Sequence, residues 1–181
     1  MLKSIELCLE HRGRVSGQKR VTFNGKVNVI VGPNGSGKSS ILKAIYKCPD
    51  CRKIEDSPTR YLFFDGEVMN PHISQKYFTG VMGSVVSVRS RYSSHGETVR
   101  DVLAALRFKP GDCFLLDEPQ TGQDIRWILR IRKGVEMITK EGCQFIIASH
   151  HPVFWKRARS VELKKGYLNK TKKTFLKSIR D

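Results

Sequence analysis

One glycine-rich segment has the residue types and spacing of a phosphate-binding loop. Gly32, Gly37, Lys38 and Ser39 follow the pattern Gly-x4-Gly-Lys-Ser, between an apolar run and a helical pattern, which is the context that a P-loop requires. Its glycines let backbone N–H groups approach phosphate oxygens, and the next helix directs its positive end toward them. We therefore expect Lys38 to contact the β- and γ-phosphates of a nucleoside triphosphate and Ser39 to bind Mg²⁺. The residues predicted to bind the nucleotide are Gly32, Asn34, Gly35, Ser36, Gly37, Lys38, Ser39 and Ser40.

Two adjacent carboxylates, Asp117 and Glu118, follow a second apolar run over residues 113–116. A carboxylate at the end of such a strand can hold Mg²⁺ opposite a P-loop, so we expect Asp117 and Ser39 to be the magnesium ligands. Glu118 is then placed to polarise the water that attacks the γ-phosphate. An acidic pair that only offsets a helix dipole is the alternative. Downstream of a P-loop we favour catalysis, with Glu118 and Lys38 as catalytic residues.

Apolar runs that alternate with helical patterns predict one α/β domain over residues 1–168, with a mostly parallel core sheet flanked by helices. Strands are expected over residues 2–10, 21–23, 27–31, 61–64, 85–88, 113–116 and 145–148. Helices are expected over residues 39–47, 99–106 and 124–142. Asn24-Gly25 indicates one hairpin and residues 161–168 another, while residues 11–20 and 48–59 are expected to be loops.

The net charge of +16 favours a polyanionic partner such as DNA or RNA. Residues 156–181 contain ten Lys or Arg and two acidic residues, which is half of the net charge. The last part, 169–181, is expected to be a basic tail, and a solvated end without a partner is the alternative. No apolar run approaches the roughly 20 residues of a membrane span, so we expect no membrane partner.

Five cysteines, an odd number, suggest reduced thiols and a cytoplasmic protein. Cys48 and Cys51 form an isolated Cys-x2-Cys pair. Zinc would need two further ligands, for which Cys113, His72 or His95 can be considered. We favour free thiols in a loop.

Three further segments resemble motifs of ABC-type ATPases. Residues 117–124, Asp-Glu-Pro-Gln-Thr-Gly-Gln-Asp, resemble the Walker B motif and the D-loop, with Asp124 as the D-loop residue. Residues 94–97, Ser-His-Gly-Glu, resemble the signature Leu-Ser-Gly-Gly-Gln, with departures at Ser93, His95 and Glu97. Residues 149–152, Ser-His-His-Pro, resemble the switch-histidine loop. The signature form is similar to that of soluble, non-transporter members, which are related to SMC and recombination-repair ATPase heads.

The resemblance implies that two copies close head to tail around two ATP molecules, as a homodimer. The signature of one copy would face the P-loop of the other, through Ser94, His95, Gly96 and Glu97. His150 would contact the γ-phosphate and help to position the catalytic water, and Asp124 would lie at the dimer seam. The candidates for the Q-loop residue are Glu67 and Gln75, and those for the adenine contact are Arg12, Arg14 and Phe23.

The family fold also implies an N-terminal antiparallel β part. Only 56 residues separate Lys38 from Ser94, so no coiled-coil insert fits and the helical arm would be much reduced. Three functions remain. The first is ATP hydrolysis coupled to nucleic acid, in a repair, mobile-element or defence system. The second is an ATP-driven switch for a separate effector protein such as a nuclease or toxin. The third is a transporter ATPase subunit.

Overall fold

The computed structural model describes residues 1–15, 18–66, 108–156 and 158–180. The strands are β1 (Leu2–Glu6), β2 (Arg20–Thr22), β3 (Val27–Val31), β4 (Arg52–Glu55), β5 (Tyr61–Asp65), β6 (Cys113–Asp117), β7 (Gln144–Ala148) and β8 (Arg159–Glu162). The helices are α1 (Leu9–Arg14), α2 (Lys38–Lys47), α3 (Ile125–Lys140), α4 (Pro152–Trp155) and α5 (Tyr167–Arg180). The strand expected over residues 85–88 and the helix over 99–106 lie outside the described residues.

A five-stranded sheet, with every described pairing parallel, forms the core in the order β5-β6-β7-β3-β8. All residues of β6 and β7 are buried, as expected for parallel strands covered on both faces. Alternate residues point into two apolar clusters. One contains Ile30, Leu115 and Ile146 with the inner face of α2, and the other contains Val29, Leu116 and Ile147 with α3. The predicted α/β fold with a parallel core sheet is therefore confirmed.

A second, antiparallel sheet has the order β2-β1-β4 and confirms the expected N-terminal antiparallel part. It also corrects two predictions. Residues 52–55 form β4 rather than part of a loop, because their backbone pairs with β1. Asn24-Gly25 does not join paired strands, since β2 pairs with β1 while β3 belongs to the parallel sheet.

Both ends of the domain contain helices where turns were predicted. The short helix α1 occupies residues expected to extend a strand and begin a polar turn. The hairpin predicted over residues 161–168 is wrong, because β8 ends at Glu162 and α5 begins at Tyr167. Gly166, with φ of +76°, supplies the left-handed residue before α5. Within the described ranges, no helix is long and apolar enough to cross a membrane.

Candidate active site

The P-loop lies between the end of β3 and the start of α2. Gly35 and Gly37 have φ of +74° and +91°, a conformation that other residues adopt at a cost. A Cβ on Gly37 would lie 2.4 Å from the carbonyl oxygen of Arg14. Only glycine therefore allows α1 to approach the loop this closely.

Lys38 is folded into the P-loop. Its Nζ donates to the carbonyl oxygens of Gly32 and Pro33, at 3.3 Å each. Burial lowers the pKa of Lys38, while the carboxylates of Glu118 and Asp117 oppose that shift. The ammonium group is thus buried beside the two carboxylates that follow β6.

Ser39 and Asp117 meet across the site. The Ser39 hydroxyl donates to Asp117 Oδ1 at 3.0 Å, and parallel register places Asp65, at the end of β5, beside Asp117. Burial, with the charges of Asp65 and Glu118, raises the pKa of Asp117 to about 6. Hard oxygen donors in a buried anionic setting fit Mg²⁺, and Ser39 and Asp117 are the residues that would hold it.

Glu118 has a strained backbone, with φ of +43°. Its N–H donates to the carbonyl oxygen of Ala148 at 2.9 Å, across to the end of β7. Gly66 permits this conformation, since a Cβ there would lie 2.4 Å from the Glu118 carbonyl oxygen. The side chain accepts a hydrogen bond from Gln120 Nε2. Strand ends on both sides therefore fix the Glu118 backbone, and Gln120 holds its carboxylate.

His150 lies on the same edge of the sheet. Its Nε2 is 3.5 Å from Glu118 Oε1, and its Nδ1 is 3.4 Å from the Tyr167 hydroxyl. Burial and the charge of Lys38 lower the pKa of His150, against the opposing effect of Glu118. The ring is therefore mainly neutral near pH 7, so one of its nitrogens donates a hydrogen bond and the other accepts one.

A hydrogen-bonded network behind Glu118 was not predicted. Ser149 Oγ donates to Gln120 Oε1 at 2.8 Å and accepts from the His151 N–H at 3.0 Å. His151 Nδ1 in turn accepts from Val153 N–H at the start of α4. Gln120 thus connects the carboxylate of Glu118 to the loop that carries His150. The polar residues after the strands were the only sequence signal for this network.

The remaining predicted residues are placed as follows. Asp124 caps α3, because its Oδ1 accepts the N–H groups of Arg126 and Trp127. Arg14 lines a cleft of about 430 Å³ beside the P-loop, together with Gly13. Phe23 is buried in the core and Arg12 donates to the Leu7 carbonyl, so Arg14 is the adenine-contact candidate nearest the nucleotide loop.

The signature and Q-loop candidates lie outside the described residues: Glu67, Gln75, Ser94, His95, Gly96 and Glu97.

Comparison with known proteins identifies the family. Residues 8–109, more than half of the chain, match the sequence model of the family AAA_23, which is described as an AAA domain. The chain belongs to this family. It is an ABC-type P-loop ATPase, and its relatives and structural neighbours are nucleotide-binding domains of the ABC type.

Three relatives show the range of similarity. The chain is 24% identical to the cytochrome c biogenesis ATP-binding export protein CcmA of Novosphingobium aromaticivorans, over 77% of this chain and 82% of CcmA. It is 24% identical to the zinc import ATP-binding protein ZnuC of Vibrio cholerae, over 80% of this chain and 65% of ZnuC. It is 46% identical to the DNA replication and repair protein RecF of Psychromonas ingrahamii, but over only 24% of this chain and 12% of RecF.

Two solved structures share the fold. One is a dimeric post-hydrolysis state of the ATP-binding cassette MJ0796 bound to ADP and Pi, with a TM-score of 0.54 and 18% identity over 91% of this chain and 92% of that chain. The other is an ABC transporter ATP-binding protein of Pyrococcus furiosus, with a TM-score of 0.52 and 20% identity over 80% of this chain and 89% of that chain. This ABC-type ATPase therefore has the fold that its motifs predicted.

Proposed function

We propose that this ATPase hydrolyses MgATP between two copies that close head to tail, and that nucleic acid regulates the cycle. The observation that supports this most strongly is the convergence of two pairs at one sheet edge. Ser39 lies 3.0 Å from Asp117, and Glu118 lies 3.5 Å from His150. Both pairs lie beside the P-loop, and they support Mg²⁺ binding by the first pair and activation of water by the second.

Each of these residues then has a defined chemical role. Lys38 and the P-loop N–H groups would hold the β- and γ-phosphates. Ser39 and Asp117 would hold Mg²⁺, which would supply positive charge to offset the charge that develops on the phosphates. Glu118 orients the attacking water and accepts its proton. His150 contacts the γ-phosphate and, since its Nε2 lies 3.5 Å from Glu118 Oε1, helps Glu118 to position the attacking water.

The dimer supplies the other half of each site. Ser94 and Gly96 of a second copy would close over the γ-phosphate, and Asp124 would lie at the seam between copies. The dimeric state of the neighbouring cassette bound to ADP and Pi supports this arrangement. Closure would remove water from the site. The backbone dipoles and charged side chains around the phosphates would then act more strongly, because less water screens them.

A direct contact supports coupling to nucleic acid. Helix α5 exposes a set of lysines: Lys170, Lys172, Lys173 and Lys177. The same helix begins at Tyr167, whose hydroxyl lies 3.4 Å from His150. A polyanion that binds α5 would therefore act on an element in contact with the catalytic histidine.

The test is the steady-state ATPase rate with and without added DNA and RNA, at two salt concentrations. We expect one polymer to stimulate hydrolysis, and the stimulation to fall with salt because phosphate contacts release counterions. A rate that neither polymer changes would reject nucleic-acid coupling. It would instead favour a separate effector protein as the partner, or a role in transport such as the export and import for which the CcmA and ZnuC relatives are named.

A further inference from the structure

Four side chains of types that can bind a metal ion converge in a cluster that contains none of the predicted catalytic residues. They come from a Cys-x2-His segment, Cys8 and His11, and a Cys-x2-Cys segment, Cys48 and Cys51. One ligand atom from each residue lies within 4.8 Å of the other three. Cys8 immediately precedes α1 and His11 lies within it, while Cys48 follows α2 and Cys51 precedes β4. The cluster therefore joins three elements of the fold.

The spacing of these atoms suits a tetrahedral metal ion. Bonds of about 2.3 Å to sulfur and about 2.0 Å to nitrogen place ligand atoms roughly 3.5–3.8 Å apart. Cys8 Sγ lies 3.1 Å, and Cys51 Sγ 3.7 Å, from His11 Nδ1. The Cys8 N–H also donates to Cys51 Sγ at 3.3 Å, a contact that would stabilise a negatively charged thiolate.

We propose that Cys8, His11, Cys48 and Cys51 bind one Zn²⁺ as a closed structural site. Three thiolates and one imidazole in tetrahedral positions are a ligand set that zinc prefers, and soft sulfur ligands select against Mg²⁺ and Ca²⁺. In this proposal the thiols of Cys48 and Cys51, which were expected from the sequence to be free, act as zinc ligands. Cys113, considered as a ligand from the sequence, instead lies buried in β6, and His72 and His95 lie outside the described residues.

The site would fix α1 against the nucleotide-binding helix. Helix α1 has only six residues, none of them buried, and no side chain caps its first turn. A helix this short has little stability of its own. Yet Gly13 and Arg14 at its end line the cleft beside the P-loop. A zinc ion shared by α1 and the end of α2 would hold them in place.

The first experiment is the zinc content of the protein purified without nucleotide, measured by mass spectrometry. We expect one zinc per chain in the wild type and in Cys143→Ala, a free cysteine outside the cluster. Cys48→Ser and His11→Ala should lose the metal, whereas His11→Cys should keep it, because four cysteines also bind zinc. Equal zinc in Cys48→Ser and the wild type would overturn the proposal.

A second measurement does not depend on the folding of a variant. Wild-type protein stripped of metal and loaded with Co²⁺ should show the visible absorption of tetrahedral cobalt–thiolate coordination, which added Zn²⁺ removes. A chelator should lower the Tm of the wild type and of Cys143→Ala, because metal binding to the native state stabilises it. A wild type that binds neither zinc nor cobalt at this stoichiometry would reject the site.

Discussion

At the residue scale, Glu118 has a backbone conformation that is costly for any residue with a Cβ. A φ of +43° costs about 1–2 kcal/mol outside glycine, and such strain persists only when neighbouring contacts enforce it. Here the Ala148 carbonyl and Gln120 hold Glu118 on either side. In this conformation the carboxylate lies 3.5 Å from His150 and beside the P-loop, where the proposed catalytic base would act.

Asp117 is the residue at which activity and stability oppose each other. Burial raises its pKa to about 6, from the 3.8 of an exposed aspartate. Ionisation of Asp117 therefore lowers the stability of the fold as the pH rises from about 4 to 6, and the full loss is present above pH 6. We expect Asp117→Asn to raise the free energy of unfolding at pH 7 by about 3 kcal/mol, and Tm by about 6–12 °C, while ATP hydrolysis is lost.

The pH dependence checks the cause of this effect. Stability of the wild type should increase as the pH falls from 6 toward 4, because the folded state takes up the proton first. The advantage of Asp117→Asn should shrink over the same interval and vanish below about pH 4. Thermal denaturation of both proteins from pH 8 to pH 4 measures this. A constant difference in Tm would show that the Asp117 charge is not responsible.

At the element scale, the position of Glu118 depends on a close backbone approach between the segments that follow β5 and β6. Gly66 lies where a Cβ would be 2.4 Å from the Glu118 carbonyl oxygen. We expect Gly66→Ala to displace Glu118 and lower kcat by about 10²-fold. The measurement is the steady-state ATPase rate at saturating ATP.

Gly134→Ala is the matched control. Gly134 lies within α3, and a Cβ there would meet no atom within 4 Å. This variant should keep the wild-type rate and gain about 0.5–1 kcal/mol of stability from helix propensity. Equal rates in Gly66→Ala and the wild type would contradict the account of Glu118.

Strands and helices with a clear local sequence pattern were predicted. A strand that forms only because a distant part of the chain pairs with it was not. The strands β3, β6 and β7 are continuous apolar runs, and Asp124 marks the start of α3, so each was visible in the sequence. Strand β4 is a polar segment that exists because β1 pairs with it. Helix α5 was missed because its lysines suggested a solvated tail.

The same distinction applies to the site. Lys38, Ser39, Asp117 and Glu118 stand in short motifs whose chemistry depends on local spacing, and the structure brings them together. Gln120, Ser149 and Tyr167 contribute through contacts across the sheet edge, which depend on how the strands and α5 are arranged. Cys8 and His11 were not considered as zinc ligands, since residues 2–10 were predicted to be a strand and residues 11–20 a loop. Only the fold brings them beside Cys48 and Cys51.

At the scale of the whole molecule, part of the positive charge is concentrated on the exposed face of α5. We expect the double variant Lys172→Glu/Lys173→Glu to weaken nucleic-acid binding and to reduce the slope of log affinity against log salt by about 2 or more. Fluorescence anisotropy with labelled DNA and RNA measures both quantities.

A control with the same change in net charge separates a local effect from a general one. Lys133→Glu/Lys140→Glu changes two exposed lysines on α3. It should retain most of the affinity for nucleic acid. Equal losses in the two double variants would indicate that only the overall charge matters, and would exclude α5 as the binding surface.

The measurement that tests the central claim most directly is the oligomeric state of Glu118→Gln with ATP, alongside its ATPase rate. Sedimentation velocity should show a dimer that forms only with MgATP, and turnover should fall by about 10²-fold or more because the general base is lost. Lys38→Ala should remain monomeric under the same conditions, since it cannot hold the phosphates. Unchanged turnover in Glu118→Gln, or a monomer at saturating MgATP, would contradict the account.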